Sequence, residues 1–146
     1  MMTSLQQLEQ PSREKGNLER LISIQALRKR LAQKLELPFH ALTIPAINDL
    51  YRKREPVVME EMENLIRMLA MCIVNISAVL NIPVVCIGGM IRELEVDLDR
   101  RISALIQNMV PYPPKVCISQ LGNTGFLYGA LHLGSEKILK EITRDF

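Results

Sequence analysis

Three features of the sequence predict a helix-rich α/β fold with few parallel strands. Apolar residues recur at three- and four-residue spacing through most of the chain, the pattern of helices with one buried face. Two short β-branched runs, Val84-Val85-Cys86-Ile87 and Lys115-Val116-Cys117-Ile118-Ser119, stand between helical stretches, and strands alternating with helices form parallel sheets through right-handed crossovers. Aromatic residues are scarce, with no Trp, three Tyr and three Phe, so the core must be built from Leu, Ile, Val, Met and Ala.

Composition narrows the class further. With 146 residues, 48% hydrophobic and 23% charged, the chain has enough apolar material for one globular domain and is not a disordered segment. Eighteen basic against sixteen acidic residues leave a formal charge of +2, spread along the chain without a nucleic-acid footprint. The densest basic cluster, Arg28-Lys29-Arg30, falls in an amphipathic helix and reads as a solvated face. Cys72, Cys86 and Cys117 each lie in an apolar stretch, as buried free thiols do, which fits a reducing cytoplasm. Residues 1–14 lack the apolar middle of a signal peptide, and the most apolar stretch, 68–87, is interrupted by Asn75, Asn81 and Pro83. Neither export nor membrane insertion is expected.

Residues 1–15, rich in Gln, Ser, Glu and Pro, are expected to be a loose N-terminal segment. From Leu18 to Leu35 the residues Leu21, Ile22, Ile24, Leu27 and Leu31 share a helical face, and Pro38 ends that helix. Thr43 is placed to cap a short helix running from Pro45 to about Arg52. The strongest periodicity runs from Pro56 to Leu80, and its second half, apolar nearly all round, is expected to be central and buried. Asn81-Ile82-Pro83 breaks it before a strand at 84–87, expected to be covered on both faces and closed by Gly88-Gly89. Ile91, Leu94, Leu98, Ile102, Leu105 and Met109 predict the next helix, stopped by Pro111, Pro113 and Pro114. A second strand at 115–119, a loop framed by Gly122 and Gly125, and a helix over 127–142 complete the order. In that last helix Gly129 and Ala130 leave room for close packing. Two strands cannot bury both faces of a sheet and leave their edges open, so further strands or a partner are expected to cover them.

The stretch from Asn75 to Gly134 resembles the closing segment of the ROK family, which comprises sugar-responsive repressors and sugar kinases. Val84-Val85-Cys86-Ile87-Gly88-Gly89, then Leu121-Gly122, then Gly129-Ala130-Leu131 carry the likeness. Upstream, Gly16-Asn17-Leu18-Glu19 and the helix from Ile22 to Leu27 resemble the family's Gly-Cys-x-Glu and the helix after it. The resemblance makes residues 16–146 the C-terminal lobe of an actin-like, ribonuclease-H-like ATPase fold. It implies that Glu19 binds sugar hydroxyls, a role suited to a carboxylate that accepts two hydrogen bonds, and that Gly88 and Gly89 form the turn of the nucleotide lobe. On the residues alone, Glu19 also reads as a helix-start glutamate favoured by the dipole, and the glycine pair as a tight turn before a helix.

The family's kinases need a glycine-rich phosphate loop and a catalytic Asp from the first lobe, and neither occurs in these residues. Phosphoryl transfer depends on groups around the γ-phosphate, so no catalytic residue and no enzyme activity are expected of this chain alone. The family's zinc motif falls on 10–19, where its three cysteine positions hold Gln10, Ser12 and Asn17; no zinc and no other cofactor are expected. His40 and His132 have no ligand or triad neighbours in sequence and read as structural. No helix-turn-helix precedes the lobe, so direct nucleic-acid contact is not expected.

The leading functional reading is a non-catalytic regulatory and oligomerisation lobe of a ROK-type sugar-responsive transcriptional regulator. It is expected to be homodimeric and cytoplasmic, with a sugar as the possible ligand of the parent protein. The alternatives are the C-terminal lobe of a ROK sugar kinase and an unrelated α/β interaction module.

Overall fold

The structure, a computed structural model, describes residues 18–144. The helix expected over 18–35 is divided. Helix α1 spans Glu19–Ile22 and α2 spans Ile24–Lys34, because Ser23 is extended and its hydroxyl accepts the Ala26 N–H at 3.1 Å, capping α2. Thr43 caps α3, Ile44–Arg52, in the same way, accepting from Ala46 at 3.3 Å. Pro56 opens α4, Pro56–Leu80, and Asn81 closes it in the left-handed conformation.

Strands β1, Val84–Ile87, and β2, Lys115–Ile118, pair in parallel with Val84 opposite Lys115 and Ile87 opposite Ile118. Between them the helix expected from Ile91 starts only at Leu98, as α5, Leu98–Ile106; Met90–Glu93 is a 3-10 turn. The reason is Asn48 on α3. Its side-chain amide donates to the Glu93 carbonyl at 2.9 Å and accepts from the Glu95 N–H at 3.0 Å, taking two backbone groups that a continuous helix would use internally. After a 3-10 turn at Gly122–Thr124, α6 runs from Gly125 to Arg144.

Helix α4 is the axis of the core. Val58, Met62, Leu65 and Ile66 on it are wholly buried against Leu27 and Leu31 of α2, Ile47 of α3, and Leu98, Ile102 and Ile106 of α5. Each such side chain contributes about 1.5–3 kcal/mol through removal from water. The second half of α4 is not buried all round as expected. Leu69, Ala70, Cys72 and Ile73 continue the inner stripe, but Met71 is exposed, and at the end of the helix Val79 and Leu80 are 80% and 64% exposed. α4 is also long and apolar enough to cross a membrane, a test that core helices pass as well, and its buried stripe serves this core.

The sheet departs from expectation in the same way. Val85, Ile87, Val116 and Ile118 pack inward, but Val84, Cys86 and Lys115 are exposed, so β1 is covered on one face and Cys86 is not a buried thiol. Cys72 is buried and Cys117 half-buried. Two strands offer too little area for cover on both sides, and the described residues place no element over the outward face. Along α6 every side chain described from Phe126 to Thr143 is at least partly exposed, and a Cβ added at Gly129 or Gly134 would meet nothing; the expected close packing is absent from the described residues.

The basic cluster on α2 is not a solvated face. Arg28 lies over the Phe39 ring, 4.2 Å from its centroid, and donates to the carbonyls of Leu42 at 2.6 Å and Phe39 at 3.2 Å, holding the 39–42 turn; only Lys29 is solvated. Arg30 donates to Glu61 at 2.7 Å and to the Leu21 carbonyl at 3.0 Å. Glu61, 3% exposed on α4, also meets Lys34 at 2.9 Å. Burial pushes the Glu61 carboxyl up, but the hydrogen bonds from Arg30 and Lys34 outweigh it and leave the pKa below the ordinary carboxylate value. The Glu61 contact, followed by that with Glu60, holds the Lys34 ammonium above its ordinary value.

A depressed carboxylate stabilises the fold above its unfolded pKa, and that stability is lost as pH falls through the folded value. Arg30→Ala should cost about 2 kcal/mol at neutral pH. The loss should shrink on acidification as Glu61 protonates, which urea midpoints measured from about pH 7 to about pH 2 will show.

Candidate functional site

Parallel strands deliver their carboxyl ends to one edge of a sheet, and in open α/β folds that edge is where ligands bind. Here it carries two turns. After β1, Gly89 has φ 74° and ψ −164°, a conformation open essentially to glycine alone. Gly88 is different: a Cβ there would meet only the Ser119 Cβ, at an ordinary 3.8 Å. Of the pair singled out in the sequence, Gly89 is required by the backbone and Gly88 is not.

After β2, the Ser119 N–H donates to the Ile87 carbonyl at 2.8 Å, and its hydroxyl accepts from the Leu121 N–H at 3.3 Å. Gly122 follows with φ 63°. The Arg92 guanidinium crosses from the first turn and would lie 3.0 Å from a Cβ at Gly122, so glycine there admits the arginine. Arg92 Nε is buried with no hydrogen-bond partner among the described residues.

Together the turns form a cleft of about 430 Å³ lined by Gly88, Gly89, Met90, Ser119, Leu121, Gly122, Gly125 and Phe126. Its floor is bare backbone and its sides are apolar, with Phe126 79% exposed. None of the lining side chains titrates near neutrality, so the cleft can seat a flat group by contact but has no lining group for proton transfer. Asn48, 6% exposed, fixes the segment just beyond the first turn through its two bonds to Glu93 and Glu95, and thereby sets where Arg92 starts.

A larger apolar groove of about 690 Å³ adjoins this cleft. Leu18, Ile22 and Ile24 form one side and Ile73, Val85 and Met90 the other, with Gly88 at the shared boundary. The helix that begins at Glu19 and the Gly88 turn thus border one groove. Glu19 has its backbone in α1, but its side chain, like positions 10, 12, 16 and 17, lies outside the described residues. His40 and His132 are both exposed, so neither has the structural place expected of it. No group of three or more His, Cys, Asp or Glu among the described residues is placed to hold a metal ion.

Sequence reasoning missed Asn48 and Arg92. The first had a signal: Asn48 sits on the stripe formed by Ile44, Ile47 and Tyr51, where a polar residue must find partners. Arg92 had none, since its role depends on a turn thirty residues away in sequence.

The family model described as ROK family matches residues 13–137. No curated protein and no solved structure matches the chain.

Gly89→Ala should lower stability by about 1–3 kcal/mol, while Gly88→Ala should stay within about 0.5 kcal/mol of the parent in urea unfolding. Asn48→Ala should cost about 2 kcal/mol and speed amide exchange at Glu95, because the loss strips both backbone partners from the 93–95 segment.

Proposed function

The chain belongs to the ROK family, and on that premise we propose that it is a non-catalytic regulatory and oligomerisation lobe. Its parent is a cytoplasmic, sugar-responsive transcriptional regulator, and residues 16–146 are the C-terminal lobe of the actin-like ATPase fold that the family implies. One observation carries this reading: apolar surface is left uncovered along α6. Leu127, Leu131, Ile138 and Ile142 fall on one stripe of that helix, and all are exposed. An apolar helical stripe of this length is a contact surface, and a second copy of the lobe supplies its match in a symmetric pair.

The cleft supports the non-catalytic half of the proposal. Phosphoryl transfer needs groups that neutralise the γ-phosphate and orient the attacking hydroxyl, and the cleft's lining offers glycine backbone, one serine and apolar side chains. Sugar binding through Glu19 belongs to the same proposal, as does the absence of direct contact between this lobe and DNA.

The second reading, the C-terminal lobe of a sugar kinase, is favoured by the Gly88-Gly89 turn. With Met90 and Phe126 beside it, that turn suits the face of a nucleotide base. Its partner lobe would then supply the phosphate loop and the catalytic Asp.

Two measurements test the proposal. Sedimentation of the chain at micromolar concentration should give a dimer, and Leu131→Glu with Ile138→Glu should give a monomer that keeps the core packed around α4; a monomeric parent chain would overturn the oligomerisation reading. Incubation with Mg-ATP and a panel of hexoses should yield no sugar phosphate, and turnover by the chain alone would overturn the non-catalytic reading.

A further inference from the structure

The outward face of the sheet carries two thiols side by side. Cys86 and Cys117 are register partners on the parallel strands, and register partners project to the same side of a sheet. Their chain neighbours fix which side this is: Val85, Ile87, Val116 and Ile118 pack against the core, so Val84, Cys86, Lys115 and Cys117 face away from it. Cys86 is exposed and Cys117 half-buried, while the third cysteine, Cys72, is buried in α4.

Neighbouring strands lie about 4.8 Å apart, inside the Cα separation of roughly 4.4–6.8 Å that a disulfide spans. The Cys117 thiol approaches the Val85 carbonyl at 3.6 Å. A hydrogen bond with Cys86, followed by desolvation, holds the Cys117 thiol above its ordinary pKa, as expected of two thiols in contact. Lys115, on the same face, draws it the other way. The pair is therefore unequal: one thiol is open to reagents and the other sits behind it in reach, the arrangement of an attacking and a resolving cysteine.

We propose that Cys86 and Cys117 form a redox-active dithiol, converted by a low-molecular-weight disulfide into a bridge between β1 and β2. The Cys86 thiol loses its proton to solvent and its sulfur attacks one sulfur of the reagent. The reagent's S–S bond breaks, one thiolate leaves, and a mixed disulfide forms on Cys86. Cys117, deprotonated in turn, attacks the Cys86 sulfur and expels the second thiolate. Two protein thiols are oxidised, the reagent is reduced to two thiols, and the two protons lost by the protein balance those taken up by the leaving groups.

The position gives the chemistry a consequence. Cys86 lies two residues before Gly88 and Cys117 two before Ser119, so a bridge fixes the two strands directly beneath the turns that shape the cleft. The oxidation state of the sheet thereby governs how far those turns can separate, whichever function the lobe serves.

The test treats the full chain with oxidised glutathione under anaerobic conditions and follows it by intact mass and peptide mapping without reduction. The expected product is a single species lighter by two hydrogens, with the Cys86 and Cys117 peptides joined, Cys72 free, and full reversal by dithiothreitol. Phenylarsine oxide, which bridges adjacent thiols, should bind once per chain. Cys86→Ser or Cys117→Ser should weaken that binding at least about tenfold, as expected when a second, intramolecular contact is lost; Cys72→Ser should leave it unchanged. Glutathione persisting on Cys86 beside a free Cys117, bridges only between chains, or arsenical binding that needs Cys72 would each overturn the proposal. The mapping uses the unaltered chain, so a variant that fails to fold does not shield it.

Discussion

Along α4 the buried stripe runs through Val58, Met62, Leu65, Ile66, Leu69 and Ile73, and α2, α3 and α5 all reach it with fully buried side chains. A stripe made only of apolar residues would let a neighbouring helix slide by a turn at small cost, since hydrophobic contact is not directional. Glu61 removes that freedom. It occupies the stripe between Val58 and Met62, and a carboxylate at 3% exposure must be met by charge and by hydrogen bonds. Arg30 and Lys34, one turn apart on α2, meet it in a single register. Arg101 on α5 pairs with Glu63 at the half-exposed edge of the stripe, a weaker constraint than the buried Glu61 contact. The apolar residues hold the helices together, and the charged ones decide where along each other they lie.

From that axis the order passes outward to the cleft. α3 packs on α4 through Ile47, which sets the neighbouring Asn48 against the chain that leaves β1. Asn48 takes the Glu93 carbonyl and the Glu95 N–H, the helix expected from Ile91 is deferred to Leu98, and the freed segment becomes the turn from which Arg92 reaches Gly122. The cleft is thus built from distant parts of the sequence, and its shape depends on a buried amide that is not among its lining residues.

The helices were legible because period is a local property: the 3.6-residue pattern marks α2 to α5, and Thr43, Pro56 and Asn81 mark boundaries by their own chemistry. The strands and their parallel pairing followed from β-branched runs separated by a helix. The pattern could not convey which apolar surfaces find cover. Val79, Leu80, Val84 and Cys86 have the composition of core residues and are exposed, because burial depends on what lies opposite, and composition carries no record of it. The arginines of α2 depart from expectation for a related reason. A charge on a helix is a solvated face or a clamp according to whether a carbonyl or a buried carboxylate stands across from it, and both partners of Arg30 are supplied by other helices. Asn48 and Glu61 carried a signal that the sequence reading left unused, since each interrupts an apolar stripe and so demands a partner even before that partner is known.

The same dependence on an opposite surface governs α6. Twenty residues of helix contribute little stability in water by themselves, because nucleation is costly and propagation nearly neutral. Gly129 and Gly134 within it each cost about 1 kcal/mol relative to alanine. α6 has no buried side chain to offset this among the described residues. In the pairing proposed above, folding of α6 and association are one coupled process. That pairing would bury the stripe from Leu127 to Ile142, and Gly134, which lies on it, would permit close approach there.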